Sequence, residues 1–146
     1  MKLIFLDIDG VLNSAYGEGP YESEMETDKL ILLRKMINDS SSDGVVIISD
    51  RRSSQIDMSH KEEVFDKYEI KIIGTTRNPN HKDFDDNRGK QIMDYLISSK
   101  DEITKMVILD DMDDGISDLF FENYIHINRL YGLNEEIYTK ALSILS

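Results

Sequence analysis

Two acidic residues, Asp7 and Asp9, stand one residue apart and are followed directly by Gly10. The apolar run before them, residues 3–6, is too short for a helix and is typical of a strand buried on both faces. Side chains alternate along a strand, so both carboxylates would point to one side if the strand continued. Two carboxylates this close repel each other unless a cation or a shared proton compensates, and their oxygens suit Mg²⁺. The spacing therefore predicts a magnesium site where this strand ends.

A second acidic pair, Asp110 and Asp111, follows another predicted strand at residues 105–109. The alternative for the first pair is a simple polar turn that leaves a strand. Its position directly after a buried strand, together with the second pair late in the chain, favours a functional site instead. A hydroxyl and two guanidinium groups follow the strand predicted at residues 45–48, in the sequence Ser49-Asp50-Arg51-Arg52.

Strands and helices alternate along the whole chain. Strands are predicted at residues 3–6, 45–48, 70–73, 105–109 and 124–127, and helices at residues 24–38, 57–68, 88–98, 116–120 and 134–145. This order is typical of a parallel sheet with helices on both faces. We therefore predict an α/β fold, a Rossmann-like three-layer α/β/α arrangement with a mainly parallel five-stranded sheet. In such sheets ligands bind at the carboxyl ends of the strands, where the acids, Ser49 and the arginines all fall.

The composition limits the classes of function. The chain has 146 residues, with 17 Lys and Arg against 29 Asp and Glu, which gives a net charge of −12. Its length predicts a single domain over residues 1–146, and its acidity disfavours non-specific binding to nucleic acid or anionic lipid. The absence of Cys excludes disulfides, thiolate metal sites and a cysteine nucleophile. With no apparent signal peptide and no membrane-spanning run, we expect a cytoplasmic protein without a membrane partner.

Several stretches resemble motifs of the haloacid-dehalogenase (HAD) superfamily of phosphohydrolases. Residues 6–12 resemble its first motif, residues 47–49 its second, and residues 108–111 its fourth, in the Asp-Asp form. The third motif is a Lys or Arg at a helix start, and both Arg88 and Lys90 qualify.

The resemblance covers nearly the whole chain and is greatest to the small HAD domains associated with RNA-repair proteins. It rests on residues 6–13, Arg88-Gly89, residues 109–111 and Gly132-Leu133. Ser49-Asp50-Arg51 is also similar to the Ser-x-Arg of polynucleotide kinase-phosphatase domains. One departure is that the small repair-type domains usually have Trp-Arg after the second-motif Ser, where this chain has Arg51-Arg52. An aromatic contact is replaced by a charge, which leaves the identity of the substrate open.

The resemblance implies a phosphomonoester hydrolase that works through an aspartyl-phosphate. It implies Asp7 as the nucleophile and Asp9 as the acid that protonates the leaving oxygen and then activates water. It also implies Mg²⁺ as cofactor, held by Asp7, the Asp9 backbone carbonyl and the pair Asp110 and Asp111, of which Asp111 resembles the direct ligand.

Hydrogen-bonding and cationic groups would complete that site. Ser49 would donate a hydrogen bond to a phosphoryl oxygen, and Arg88 or Lys90 would offset the charge of nucleophile and phosphate. Arg51 or Arg52 would hold a phosphate bidentately. These roles make Ser49, Arg51 and Arg52 the candidate substrate-binding residues.

The short segment at residues 14–20 leaves little space for a cap domain, so we expect no sizeable cap. An open site favours a large phosphorylated substrate, such as a nucleic-acid end or a phosphoprotein, while a nucleotide or small phosphoester remains an alternative. A local basic patch would accept a nucleic-acid end despite the net charge; its members are Arg51, Arg52, Arg77, Lys82, Arg88 and Lys90. The sequence leaves the oligomeric state open.

The competing hypothesis is a non-catalytic regulatory domain that binds Mg²⁺ or a phosphorylated ligand. A receiver domain of the response-regulator type also carries acids at strand ends, with a phospho-accepting Asp after a later strand. Here the third predicted strand ends in Gly74-Thr75-Thr76, without an acid, which weighs against a receiver.

Overall fold

The computed structural model describes residues 1–48, 55–76 and 87–146, with only the backbone described for residues 55–58. The strands are β1 (Lys2–Leu6), β2 (Tyr21–Glu22), β3 (Met25–Glu26), β4 (Gly44–Ile47), β5 (Ile72–Thr75), β6 (Lys105–Asp110) and β7 (Tyr124–His126). The helices are α1 (Thr27–Ser40), α2 (Gln55–Lys67), α3 (Arg88–Ser98), α4 (Ile116–Phe120) and α5 (Glu135–Leu145).

The main sheet contains five strands in the order β5-β4-β1-β6-β7, and each neighbouring pair is parallel. The first strand, β1, lies in the middle. Its last residue, Leu6, is opposite Ile47 of β4 and Leu109 of β6. All five strands therefore end at one edge of the sheet, and the residues that follow β1 and β6 meet there.

Alternating residues of β1 supply the two apolar cores that lie on either side of the sheet. Ile4 and Leu6 pack in one core with buried residues of α1, α2 and α5. Leu3 and Phe5 pack in the other with buried residues of α3 and α4. All four side chains are excluded from solvent, which explains why the run has no polar member. The predicted three-layer α/β/α fold is confirmed.

Several predicted element bounds differ from the observed ones by one to three residues, and the differences are largest for α1 and β5. Residues 24–26 belong to the β2–β3 hairpin, so α1 begins at Thr27 rather than residue 24. Ser23 and Glu24 have positive φ values of 45° and 65°, which are found in hairpin turns and not in helices. The third strand begins at Ile72 rather than residue 70, because Ile70 packs into the core in the turn between α2 and β5 and its N–H donates to the Phe65 carbonyl at 2.8 Å. The bounds predicted for α3 and α4 are confirmed.

The connection from β1 to α1, residues 7–26, contains only the β2–β3 hairpin as regular structure. This agrees with the expectation that the chain has no sizeable cap between these elements. Within residues 1–48, 55–76 and 87–146, none of the helices has both the length and the apolar character that crossing a membrane requires.

Candidate active site

Three carboxylates meet at the carboxyl edge of the sheet. Asp7 follows β1, Asp110 is the last residue of β6, and Asp111 comes next. One carboxylate oxygen from each lies within 4.8 Å of the others. Asp7 is 5% exposed and Asp110 is fully buried, so the sheet holds two of these acids away from water. The structure therefore brings together three of the four residues predicted to hold a metal ion.

Arg88, the first residue of α3, supplies a positive charge to this cluster. Its Nη1 lies 2.8 Å from both carboxylate oxygens of Asp110 and 3.3 Å from Oδ2 of Asp7. The Arg88 side chain is largely buried, whereas Lys90, the other candidate for the third motif, is exposed. Of the two basic candidates, Arg88 is thus the one whose contacts with the acids are observed.

The start of α3 is held by the loop that follows β6. The Asp114 carboxylate accepts a hydrogen bond from the Arg88 backbone N–H at 3.1 Å, and the Asp114 carbonyl accepts one from the Gly89 N–H at 3.2 Å. A Cβ on Gly89 would lie 2.3 Å from the Gly115 carbonyl oxygen, so only glycine permits this approach. These contacts fix the backbone from which the Arg88 side chain extends.

The pKa values of the clustered acids show how crowded their charges are. Burial raises the pKa of Asp7 to about 9, with further increases from the Asp110 charge and a hydrogen bond with Asp111, although Arg88 opposes the shift. Burial also raises the pKa of Asp110 to about 6, and the hydrogen bonds and charge of Arg88 again oppose it. Burial lowers the pKa of Arg88, but its carboxylate partners raise it by more, so Arg88 stays charged.

Three carboxylates against the one charge of Arg88 leave the cluster short of positive charge. The pKa of Asp7 is raised because burial and the neighbouring acids outweigh the charge of Arg88, the cation beside it. Three carboxylate oxygens at this spacing are donors that Mg²⁺ accepts. The residues present therefore fit a divalent cation, whose charge would oppose the effect of burial and lower the pKa of Asp7.

Asp9 lies outside the carboxylate cluster. The strand ends at Leu6, so the condition under which Asp7 and Asp9 would share a side is not met, and Asp9 is exposed. Asn13 Nδ2 donates to Asp9 Oδ1 at 3.0 Å, and Asn13 Oδ1 accepts from the Gly10 N–H at 2.9 Å. Asn13 thus orients Asp9, a role that sequence reasoning missed although an Asn near a glycine turn is a recognisable signal. The expected contribution of the Asp9 carbonyl to a metal site stays a prediction.

Gly10 permits close contact between two site loops. Its φ is 83°, and a Cβ there would lie 2.4 Å from Oδ2 of Asp111 and 3.1 Å from Cβ of Arg129. The Asp111 carboxylate therefore lies directly against the turn that follows Asp7. Arg129 is brought to the edge of the site, although no motif or spacing in the sequence pointed to it.

The predicted phosphate-binding residues Ser49, Arg51 and Arg52 lie outside the described residues, and their roles stay predictions. The last described residue before them is Ile48, whose N–H donates to the Leu6 carbonyl at 2.9 Å. The described chain thus reaches this edge of the sheet beside Asp7.

Comparison with known protein families supports the interpretation of this edge. Residues 3–137 match the family described as the HAD domain in Swiss Army Knife RNA repair proteins. A search of curated proteins finds no match. The fold and the clustered acids agree with the family match, and the chain belongs to the HAD superfamily, in this RNA-repair-type family. Members of the superfamily are mostly phosphatases and typically use a metal ion.

Proposed function

We propose that this chain is a Mg²⁺-dependent phosphomonoester hydrolase, formed by a single domain over residues 1–146, with an aspartyl-phosphate on Asp7 as intermediate. The observation that carries the proposal is the position of Asp7. It follows the central strand, is buried, and lies among Asp110, Asp111 and Arg88. A buried acid with this set of neighbours is expected at a functional site rather than in a structural core.

Asp7 and Asp9 would share the chemical steps. The Asp7 carboxylate attacks phosphorus, a new P–O bond forms, and the ester P–O bond breaks while Asp9 gives its proton to the leaving oxygen. Water then attacks the aspartyl-phosphate and gives a proton to Asp9, which releases inorganic phosphate and restores Asp7. The hydrogen bond from Asn13 supports this role, because it holds the Asp9 carboxyl at a fixed position.

Asp7, Asp110, Asp111 and the backbone carbonyl of Asp9 would hold Mg²⁺. Bound there, Mg²⁺ supplies the positive charge that lets an anionic carboxylate approach an anionic phosphate. Asp111 is the better candidate for direct coordination. Both oxygens of Asp110 already accept from Arg88, and Oδ1 also accepts from the Met112 N–H at 2.9 Å.

Arg88 would take the role of the third-motif base. Its guanidinium contacts Asp7 and Asp110 together, so it offsets charge on the nucleophile and on the acid beside it. Ser49 would donate to a phosphoryl oxygen, and Arg51 or Arg52 would hold the phosphate; these assignments rest on the motif resemblance alone.

The proposed substrate class is the phosphorylated end of a nucleic acid. The description of the matched family, which places such domains in RNA repair proteins, supports this choice. The short hairpin between β1 and α1 supports it as well, because an uncapped site admits a large substrate. A mononucleotide or another small phosphoester is the alternative.

Release of inorganic phosphate from an aryl phosphate tests the proposal, measured with Mg²⁺ and again with a chelator. We expect wild-type protein to require Mg²⁺ and Asp7→Asn to be inactive. Asp101→Asn, an exposed acid before β6, is the matched control and should keep the wild-type rate. Equal rates for wild type and Asp7→Asn would reject Asp7 as nucleophile.

Two further measurements separate the competing functions. A beryllium trifluoride adduct should form in wild type and be absent in Asp7→Asn. Mg²⁺ binding without turnover and without the adduct would favour the non-catalytic regulatory domain. A panel of 3′- and 5′-phosphorylated oligonucleotides, mononucleotides and small phosphoesters then identifies the substrate class.

A further inference from the structure

Three apolar side chains form an exposed patch, which we call the aromatic rim: Tyr16, Leu130 and Tyr131. The tyrosines are 65% and 57% exposed, and their ring centroids lie 5.7 Å apart with the rings tilted by 53°. A pair that served only to stabilise the fold would be expected to bury more of its ring area. Exposed aromatic rings in adjacent loops are instead typical of a binding surface.

Backbone hydrogen bonds join the two loops that carry the rim. The Ala15 N–H donates to the Arg129 carbonyl at 3.2 Å, and the Tyr16 N–H donates to the Leu130 carbonyl at 3.1 Å. One of these loops continues directly from β1 and also carries the proposed nucleophile. The rim therefore has a fixed position relative to the candidate active site.

Arg129 lies between the rim and the acids. Its Cβ is next to Gly10, against which the Asp111 carboxylate also lies. Tyr131 is two residues further on, and two residues span at most about 7 Å. Arg129 is also exposed, so its side chain is accessible to a ligand and starts beside Gly10 and the Asp111 carboxylate.

A buried polar anchor holds the Tyr16 loop in place. The Ser14 hydroxyl lies 3.0 Å from both carboxylate oxygens of Glu26, and Lys29 Nζ lies 3.3 Å from Glu26. Glu26 and Lys29 are both buried. Beside this ion pair is a cleft of about 300 Å³, lined in part by the two tyrosines. A loop held in this way lowers the cost of ordering the backbone around Tyr16 on binding.

We propose that the aromatic rim is a base-stacking site for the nucleotide next to the scissile phosphate, with Arg129 as a contact for the nucleic-acid backbone. This inference rests on the proposed function, whose substrate class it explains. Tyrosine rings stack on any base, so the site accepts a nucleic-acid end without reading its sequence. Glu18 and Asp28, exposed at the cleft, repel phosphates and direct the backbone toward Arg129. The net charge of −12 disfavours long-range attraction of nucleic acid, and stacking would add affinity to that of the phosphate site.

The test compares phosphorylated oligonucleotides that have either a normal or an abasic terminal nucleotide, at the 3′ and at the 5′ end. For wild type, we expect KM to be about tenfold lower with the base present, which corresponds to about 1.4 kcal/mol. Tyr131→Ala should remove most of this preference through KM, and Tyr131→Phe should retain it. Phe121→Ala, an 80% exposed aromatic that follows α4, is the matched control and should behave as wild type.

The outcomes separate this inference from the function on which it rests. Equal KM values for normal and abasic ends in wild type, or a preference that survives in Tyr131→Ala, would overturn the stacking site. Hydrolysis of glycerol phosphate in the same experiment would leave the proposed function standing. If wild type hydrolyses none of these substrates, the fluorescence of an oligonucleotide with a terminal 2-aminopurine is measured instead. Quenching of this fluorescence by wild type but not by Tyr131→Ala supports stacking. No quenching by either protein refutes it.

Discussion

Arg88 Nη1 lies 2.8 Å from each carboxylate oxygen of Asp110. This contact joins the first residue of α3 to the last residue of β6, and the same nitrogen reaches Asp7 at 3.3 Å. One guanidinium therefore orients two acids from neighbouring strands, which makes the cluster sensitive to changes at Arg88.

Substitution of Arg88 should affect both stability and activity. Arg88→Gln leaves Asp7 and Asp110 buried without a cationic partner, so we expect the free energy of unfolding of metal-free protein to fall by about 3 kcal/mol. Arg88→Lys should recover part of this loss and remain at least tenfold slower in phosphate release. Lys90→Gln is the comparison variant. Its Tm and its rate of phosphate release should change less than those of Arg88→Gln. A greater loss of rate in Lys90→Gln than in Arg88→Gln would transfer the third-motif role to Lys90.

The Asp7 carboxyl should make the metal-free protein less stable as the pH rises. Its pKa in the folded state, about 9, is above the ordinary value of 3.8, so the folded state binds the proton more tightly than the unfolded state. The stabilisation is fully present below about pH 4 and is lost progressively up to about pH 9. Asp7→Asn removes this loss, so its Tm with a chelator at pH 8 should exceed that of wild type by about 3 °C or more.

Melting at pH 5 provides the internal control for Asp7→Asn, because the difference in Tm from wild type should shrink there. A Tm for Asp7→Asn below that of wild type at pH 8 would contradict the charge crowding inferred for the cluster. Added Mg²⁺ should raise the Tm of wild type at pH 8 and have a smaller effect on the variant.

The two adjacent acids after β6 should differ in their effect on metal binding. Mg²⁺ at one hundred times its dissociation constant should stabilise wild type by about 2.7 kcal/mol. Asp111→Asn should lose most of this stabilisation by Mg²⁺, while the Tm of the metal-free variant should differ little from that of wild type. Asp110→Asn should also lower the metal-free stability, because it weakens the pair with Arg88. Thermal melts over a Mg²⁺ titration measure both quantities, and an undiminished increment in Asp111→Asn would exclude it as a ligand.

Gly10 should be intolerant of a side chain. Gly10→Ala places a residue with a Cβ at a φ of 83° and directs that Cβ at the Asp111 carboxylate. We expect a loss of about 1–3 kcal/mol in unfolding free energy together with weaker Mg²⁺ binding. Gly132→Ala is the matched control, since its φ is also positive, at 67°, but its Cβ would meet Lys29 and Val11. The control should lose stability and keep its Mg²⁺ affinity; equal loss of affinity in both variants would point to a general effect of strain.

The central strands and the acids were predictable from the sequence because each is encoded locally. Residues 3–6 are apolar without interruption because both faces of β1 are covered. Asp7 follows β1 directly, and Asp110 is the last residue of β6. Because β1 and β6 are parallel neighbours, their carboxyl ends lie side by side and bring the two acids together. The start of α3 is also determined by nearby residues, because Asn87 accepts a hydrogen bond from the Lys90 N–H and caps the helix.

What the sequence did not reveal depends on contacts between distant segments. The β2–β3 hairpin has two-residue strands and a turn of Ser23 and Glu24, neither of them the Asn or Gly that usually marks positive φ. The choice between Arg88 and Lys90 depends on the side of α3 that faces β1 and β6, which spacing alone does not define. Arg129 belongs to a loop whose neighbour, Gly10, is more than one hundred residues away in the chain.

The close contact between Gly89 and Gly115 constrains the catalytic cycle of the proposed enzyme. With the two Asp114 hydrogen bonds, it fastens the Arg88-bearing end of α3 to the loop that carries Asp111, and no space for a methyl group remains between them. The backbone that carries Arg88 therefore cannot move away from this loop without breaking these contacts. A product that leaves along the loop after β1 would pass Tyr16 and Tyr131, the residues proposed to stack on the substrate. A substrate still stacked there would delay the exit of phosphate, and turnover would slow as base stacking strengthens.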